Sequence, residues 1–331
     1  MDELLQKINA LYNPENYKLS RVPEHEGGRN LIFVCKKQDV PEYVFRISLS
    51  GDRIEEEYLA ETEFIRFLAK NGAAVADVIP SANGKFVERM VYDDKEAFVS
   101  CFSYAAGMLI SDNGYQYRDG APLSEYFFNT GKVLGKIHQL SKEYVPTYHR
   151  QDYFDKYNMD YITSLISDDY SDLKAAIDRW LRQFATLNKN SENYGLVHFD
   201  FSDGNYHVDM SNGNITVFDF DNCMYCWYMF DLANLWTHGA GWFMSEKNME
   251  KRKQGMQEYF DTILEGYRSE TDITDEEIER LPLFIDMVLV ENIVDEFECC
   301  KRAGEEVDYE DIEDAAECLI NNIPYAGFFG N

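Results

Sequence analysis

The stretch YGLVHFDFSDGNYHVDMSNGNITVFDFDN (194–222) decides how this chain is read. It brings His198, Asp200, Asn205, Asp219 and Asp221 close together between apolar runs that look like short strands. Carboxylates gathered this way repel one another unless a cation or a proton-transfer task holds them. A strand-loop-strand-loop arrangement places Asp200, Asn205 and Asp219 at one edge of a hairpin, within reach of a common ligand. Amide and carboxylate oxygens are hard donors that Mg2+ accepts when phosphates supply its other ligands. A separate carboxylate can take the proton of an attacking hydroxyl. Phosphoryl transfer needs this division of labour.

Upstream, the runs NLIFVCKK (30–37) and EYVFRISLS (42–50) predict a hairpin. The segment 53–72 carries apolar residues at helical spacing and ends in Asn-Gly. Further strands follow, KFVERMVY and EAFVSCFSY among them, bracketed by turns at 81–84 and 92–95, and the order read is β-β-α-β-β-β. Beyond residue 107 helices predominate, over 123–144, 160–187, 246–268, 274–302 and 308–321. The fold class expected is therefore α+β and two-lobed. A small antiparallel β-rich lobe (1–103) is joined by a hinge (104–107) to a larger helical lobe (108–331). A ligand belongs in the cleft between two such lobes.

Composition narrows the function. The chain has 331 residues, 45% of them hydrophobic, enough to bury a sizeable core. Its 31 basic and 60 acidic residues leave a net charge of −29, which argues against a nucleic-acid or anionic-membrane partner. Seven cysteines in irregular positions, one CxxC (Cys223, Cys226) among them, read as buried thiols of a reducing compartment. The start, MDELLQKINALY, reads as an amphipathic helix and not a secretion signal. A cytoplasmic protein, monomer or homodimer, is expected.

The pattern H-x-D-x-x-x-x-N followed by V-x-D-F-D resembles the signature of the aminoglycoside phosphotransferase and choline kinase family, relatives of the protein kinases. Other segments match it in order. HEGGRN (25–30) is similar to the family's phosphate-covering glycine loop, and YVFRIS (43–48) to its strand with a phosphate-pairing basic residue. LAETEF (59–64) resembles the helix with the acidic partner, FSYAAG (102–107) the hinge, and MFDLANLW (229–236) the Asp-Leu-Ala segment. The resemblance implies a protein-kinase-like fold and transfer of the γ-phosphoryl of ATP or GTP, with Mg2+, to a hydroxyl of a small molecule.

Position by position, it implies Asp200 as catalytic base, supported by His198. Asn205 and Asp219 hold the metal. Asp221 is a second metal ligand, an acid behind the ligands, or a solvated side chain. Gly27, Gly28 and Asn30 meet the phosphates, and Arg46 pairs with them and with Glu61. Backbone groups of Tyr104, Ala105 and Ala106 meet the base. Asp231 ties down the catalytic loop or contacts substrate. Protein kinases carry Lys where this chain has Arg46, and Arg is a wider fork. His138, on an apolar helix face, reads as a packed core residue.

The acids Glu291, Asp295, Glu296 and Glu298 are candidates for binding a cationic acceptor, against the plainer reading of a solvated helix face. An aminoglycoside-like or other small cationic hydroxylated acceptor is expected first, with choline, homoserine, methylthioribose and ketosamines as alternatives. A nucleotide-binding pseudokinase is a rival reading, whose support is Arg46. A regulated protein kinase is disfavoured, because no long activation segment fits between Asp219 and Asp231.

Overall fold

A computed structural model describes residues 2–12, 17–23, 29–49, 51, 53–92 and 94–325. Gly27 and Gly28, expected in the phosphate loop, lie outside them. The N-terminal part comprises α1 (Asp2–Tyr12), β1 (Lys18–Arg21), β2 (Asn30–Lys37), β3 (Val40–Ser48), α2 (Glu55–Lys70), β4 (Val78–Ile79), β5 (Glu88–Tyr92) and β6 (Lys95–Ser103). The sheet is antiparallel in the order β1-β2-β3-β6-β4, with β5 also on β6. Alternate residues point to one face, as the pleat requires. Phe33 and Cys35 of β2, Phe45 and Ile47 of β3, and Val99 and Cys101 of β6 share a core with Ile8 of α1.

Two strands escaped the sequence reading. The run KLSR of β1 is polar and lies at the sheet edge, and β4 has two residues. Both are too short to show a period of two.

The helical part contains α3 (Leu123–Glu143), α4 (Tyr153–Lys156), α5 (Met159–Leu165), α6 (Ser171–Phe184), β7 (Tyr194–Val197), β8 (Tyr206–Val208), β9 (Ile215–Val217) and β10 (Met224–Trp227). It ends with α7 (Tyr228–Gly239), α8 (Met249–Arg268), α9 (Asp275–Ile278), α10 (Leu281–Ala303) and α11 (Tyr309–Asn321). The fold class is α+β, with an antiparallel sheet first and helices after it.

The expected single helix at 160–187 is three pieces. Ser167 accepts the Asp169 N–H and starts a separate turn. The expected helix at 274–302 is also broken. Thr274 and Glu277 form a capping box on α9, and Pro282 opens α10, where a missing N–H costs nothing.

Helices α3 and α8 pack so closely that glycine is needed. A Cβ on Gly131 would lie 1.9 Å from the Ile263 carbonyl oxygen, and one on Gly266 would lie 2.0 Å from that of Phe128. Helix α10 runs through the core with Met287, Val288, Val290, Ile293 and Val294 buried. Helix α2 joins the two parts. Its Phe64 sits in the helical core and meets the Phe220 ring at 6.1 Å. Main-chain bonds between Ala76 and Val217 (2.8 Å) and between Met108 and Val208 (2.8 and 3.1 Å) tie the sheet side to the β8–β9 ribbon.

Candidate active site

The strands of the opening stretch do not form one hairpin. β7 pairs with β10, and β8 pairs with β9, so the β8–β9 ribbon is inserted between two partners. The loop after β7 carries His198, Phe199 and Asp200, and the turn after β9 carries Asp219. The two are stitched together. The Phe218 N–H donates to the Asn205 carbonyl at 2.9 Å, and His198 Nε2 meets the Phe218 carbonyl at 3.0 Å. Since Nε2 faces a carbonyl, it carries the proton. Asn205 Nδ2 donates to the Asp200 carbonyl at 2.8 Å. Asp200, Asn205 and Asp219 are thereby brought to one place.

Two non-glycine residues in this small region have left-handed backbone, Phe199 (φ 72°) and Asp219 (φ 62°). Such conformations persist where surrounding structure over-determines them, and they cluster at functional sites. At Phe199 the constraint is visible. Its ring stacks on Phe230 at 4.2 Å and 4°. Its N–H donates to Asp231 Oδ1, and the His198 N–H donates to Asp231 Oδ2, both at 2.9 Å. Asp231 also meets His138 Nε2 at 3.1 Å, and His138 Nδ1 meets the Tyr267 hydroxyl at 2.9 Å. Asp231 has no solvent exposure. It lies beneath the loop and not at the cleft, where a substrate contact would need it.

Electrostatics separate the acids. Burial raises the Asp200 carboxyl above its ordinary value, opposed by His198, by the Asn205 hydrogen bond and by His238, while Asp295 raises it further. Asp219 is pushed up to about 6, by enclosure in protein first and by Asp221 next, with Arg46 opposing. Its side chain is nonetheless exposed, and water reaching it tempers the first of these effects. Burial works to raise Asp221 too, but Arg53, Arg46, Arg29 and Arg150 outweigh it and hold this carboxyl well below the usual range.

Most of the cations come from the N-terminal part of the chain. Arg46 of β3 donates to both oxygens of Glu61 on α2, at 2.7 and 2.6 Å, and both side chains are buried. The same guanidinium lies 3.7 Å from Asp221 Oδ1. Burial works against its charge, but Glu61 and Asp221 keep it firmly protonated. Asp221 accepts from Arg29 (2.9 Å), Asn30 (3.2 Å) and Arg53. Arg150 caps the main-chain carbonyls of Asp221 and Cys223.

In this structure both Asp221 oxygens thus face cationic or amide donors. The Asn30 amide oxygen accepts from Ser48 at 2.7 Å. Sequence reasoning missed Arg29, Arg53 and Arg150. Their signal was slight: three arginines flanking elements of interest in a chain poor in basic residues.

In the segment after β6, the Tyr104 N–H donates to the Glu42 carbonyl at 2.8 Å, and the Ala105 carbonyl faces His207 Nδ1 at 2.8 Å. Ala106 is exposed. Near Asp200, α10 presents Glu291 and Asp295, with Glu298 further along the same helix. Glu298 is satisfied by Lys156 (3.1 Å) and the Tyr161 hydroxyl (2.5 Å). Burial raises the Glu291 carboxyl well above its ordinary value, Asp295 and Asp200 add to this, and Lys156 opposes it. Asp295 is exposed. Glu296 accepts from the Cys300 thiol at 3.2 Å, one turn along α10.

The chain is similar to known proteins. The pattern of the family described as "Phosphotransferase enzyme family" matches residues 22–270. Amicoumacin kinase of Bacillus subtilis is 26% identical over 260 residues, covering 77% of this chain and 74% of that one. Among solved structures, amicoumacin kinase hAmiN in complex with AMP-PNP, Ca2+ and Ami superposes with a TM-score of 0.81 at 21% identity, over 98% of this chain and 94% of that one. The microcompartment-associated aminopropanol kinase gives 0.72 at 16% identity, over 98% and 100%. The fold is the two-lobed, protein-kinase-like one. The chain belongs to the phosphotransferase enzyme family and is a small-molecule kinase of it.

Proposed function

We propose that the protein transfers the γ-phosphoryl group of ATP or GTP, with Mg2+, to a hydroxyl of a small cationic molecule, an amino alcohol or an aminated sugar. The observation that carries the acceptor class is the field around Asp200. Asp295 raises the proton affinity of Asp200, and Asp200 in turn raises that of the half-buried Glu291. Carboxylates this close, with one cation (Lys156) already committed to Glu298, favour a positively charged guest. An aminopropanol and amicoumacin are named as the targets of the related kinases, and an aminopropanol is an amine bearing a hydroxyl.

Asp200 is the base of this reading. Its loop is clamped by Asp231 and Asn205, so its carboxylate is positioned before substrate arrives. The proton of the acceptor hydroxyl passes to a carboxylate oxygen of Asp200 as the oxygen attacks phosphorus. Burial makes Asp200 a better proton acceptor than an exposed aspartate.

The metal donors proposed are Asn205 and Asp219, with Asp221 available once its cations are drawn off. Among the described residues there is no group of three His, Cys, Asp or Glu side chains that could hold a metal. This fits an ion that arrives on phosphates and needs few protein ligands. Bound there, Mg2+ would neutralise charge on the phosphate oxygens. The nucleobase is proposed to meet the Tyr104 carbonyl and the Ala106 N–H. Seven free thiols agree with a reducing, cytoplasmic setting. Among the described residues no helix is long and apolar enough to cross a membrane.

The test is release of nucleoside diphosphate from Mg-ATP and Mg-GTP against a panel of aminoglycosides, amino alcohols, choline, homoserine, methylthioribose and ketosamines. Stimulation by amine-bearing acceptors supports the reading. Stimulation by neutral acceptors alone overturns the acceptor class.

A further inference from the structure

Two tyrosines have no role in the reading above. Tyr153 opens α4, and Tyr157 follows its last residue. Neither has any solvent exposure. Their rings stack on each other at 4.6 Å and 18°. They also lie against Phe199, the strained residue beside Asp200, at 6.4 and 5.8 Å. Both hydroxyls are buried without a hydrogen-bond partner among the described residues. A polar group left unpaired in the interior costs stability, and phenylalanine would fill the same space without that cost. The hydroxyls make sense if a partner comes to them.

The charges around them identify that partner. Glu291 of α10 acts on both hydroxyls, and on Tyr157 more strongly than Glu298 or Asp295 does. The Tyr157 hydroxyl is therefore directed toward these carboxyls, Glu291 foremost. Glu291 is half-buried, and burial favours its protonated form. Asp295, Asp200 and Glu298 push the same way, and Lys156 opposes them. Lys156 is committed to Glu298 at 3.1 Å and lies over the Tyr157 ring at 5.2 Å. The other helices packed on α10 hold their charges elsewhere. Tyr161 of α5 donates to Glu298, and on α7 Asp231 holds the catalytic loop while His238 acts on Asp200. On α6, Lys174 and Arg182 pair with Asp168 and Asp178, and Arg179 donates to the Leu319 carbonyl. On α11, Cys318 feels Asp286. A carboxyl so enclosed among acids keeps its proton until a cation reaches it.

We propose that Glu291 anchors the ammonium group of the acceptor by exchanging a proton for it, and that the Tyr157 hydroxyl completes the anchor. In the empty site Glu291 carries a proton and the Tyr157 hydroxyl is unpaired. When an ammonium group arrives, the Glu291 O–H bond breaks and the proton leaves to solvent. The carboxylate then pairs with the ammonium and accepts a hydrogen bond from Tyr157. The bond that Tyr157 lacks is thus made only when the site is filled, and a hydrogen bond to a charged group is a strong one. Tyr153, on which Cys226 acts ahead of Glu291, stacks behind Tyr157 and supports its ring. Because Asp200 acts on Glu291, an amine anchored here leaves a hydroxyl a short chain away beside the proposed base. This rests on the cationic-acceptor reading and gives that site a proton it must release.

The experiment is calorimetric titration of the full-length enzyme with aminopropanol, ethanolamine and choline, whose ammonium groups stay charged at neutral pH. It is run in Tris and in PIPES at pH 7, with Mg-ADP present throughout. Glu291→Gln, Asp295→Asn and Tyr157→Phe are compared with wild type, and thermal unfolding checks that each is folded. The two buffers give different heats on taking up a proton, so a heat that is more exothermic in Tris reports proton release. The anchor predicts release on amine binding in wild type and in Asp295→Asn, and none in Glu291→Gln. It also predicts that Tyr157→Phe binds the amine about tenfold more weakly while its Tm equals or exceeds that of wild type. A tyrosine with a structural role alone would lower Tm and affinity together. Equal heats in the two buffers for wild type overturn the proton exchange and leave the cationic-acceptor reading standing. Release that persists in Glu291→Gln overturns the assignment to Glu291, and wild-type affinity in Tyr157→Phe overturns the part given to the hydroxyl. If none of the amines binds, the cationic-acceptor reading fails and the anchor with it.

Discussion

The Asp231 carboxylate accepts the Phe199 main-chain N–H at 2.9 Å from below the catalytic loop. Its other oxygen serves the His198 N–H and His138, so one buried acid fixes the strained turn that aims Asp200. Asp231→Asn keeps the shape but turns one acceptor into a donor. It should lower kcat by more than it raises KM, and cost about 1–3 kcal/mol of stability. Steady-state kinetics together with denaturant unfolding check this. An unchanged kcat would mean that the loop holds its form without the acid.

Arg46 and Glu61 are 4% and 1% exposed and satisfy each other through two hydrogen bonds. Removing one partner strands the other's charge in the interior. Arg46→Ala should therefore destabilise the protein by about 3–5 kcal/mol. A paired change to apolar residues of similar size should restore much of that stability. The Tm values of the single and double variants are the measurement.

Much of the site could be read from spacing. Asp200, Asn205 and Asp219 stand at fixed intervals around short apolar runs, and β-rich runs between turns marked the strands β2, β3 and β6. The arginines could not be read this way. Arg29 and Asp221 are 192 residues apart in sequence, and no local pattern announces that they meet. The pairing of β7 with β10, and not with β8, is likewise a matter of topology. Strands of three or four residues offer no register signal strong enough to choose a partner. Asp231 was legible as an acid near the site. Its place beneath the loop depended on how α7 packs.

The acceptor pocket should respond to charge alone. Glu291→Gln combined with Asp295→Asn should raise KM for a cationic acceptor about tenfold, a difference of about 1.4 kcal/mol. KM for ATP should stay the same, because these residues lie on α10 near Asp200 and no nucleotide contact is proposed for them. Kinetics with one substrate saturating and the other varied give both values. If neither KM moves, the acceptor's cation binds elsewhere.

Asp286 on α10 gives a stability test independent of catalysis. Burial alone pushes its carboxyl from the ordinary 3.8 up to about 7, and Cys318 of α11 feels its charge. Between those values the folded protein keeps a proton that the unfolded chain has released. Stability therefore falls as pH rises across this window, and the whole penalty stands above it. Asp286→Asn should raise Tm at pH 8 by about 2 °C or more, and should change little near pH 4. Equal effects at both pH values would contradict the assignment.

The most direct measurement of the central claim is made on Asp200→Asn, comparing phosphoryl transfer to the best acceptor with equilibrium binding of Mg-ATP. The account predicts that transfer falls by about 10³-fold or more while Mg-ATP affinity stays within a few-fold of wild type. Turnover at the wild-type rate would contradict it, because the proton of the acceptor hydroxyl would then need another base.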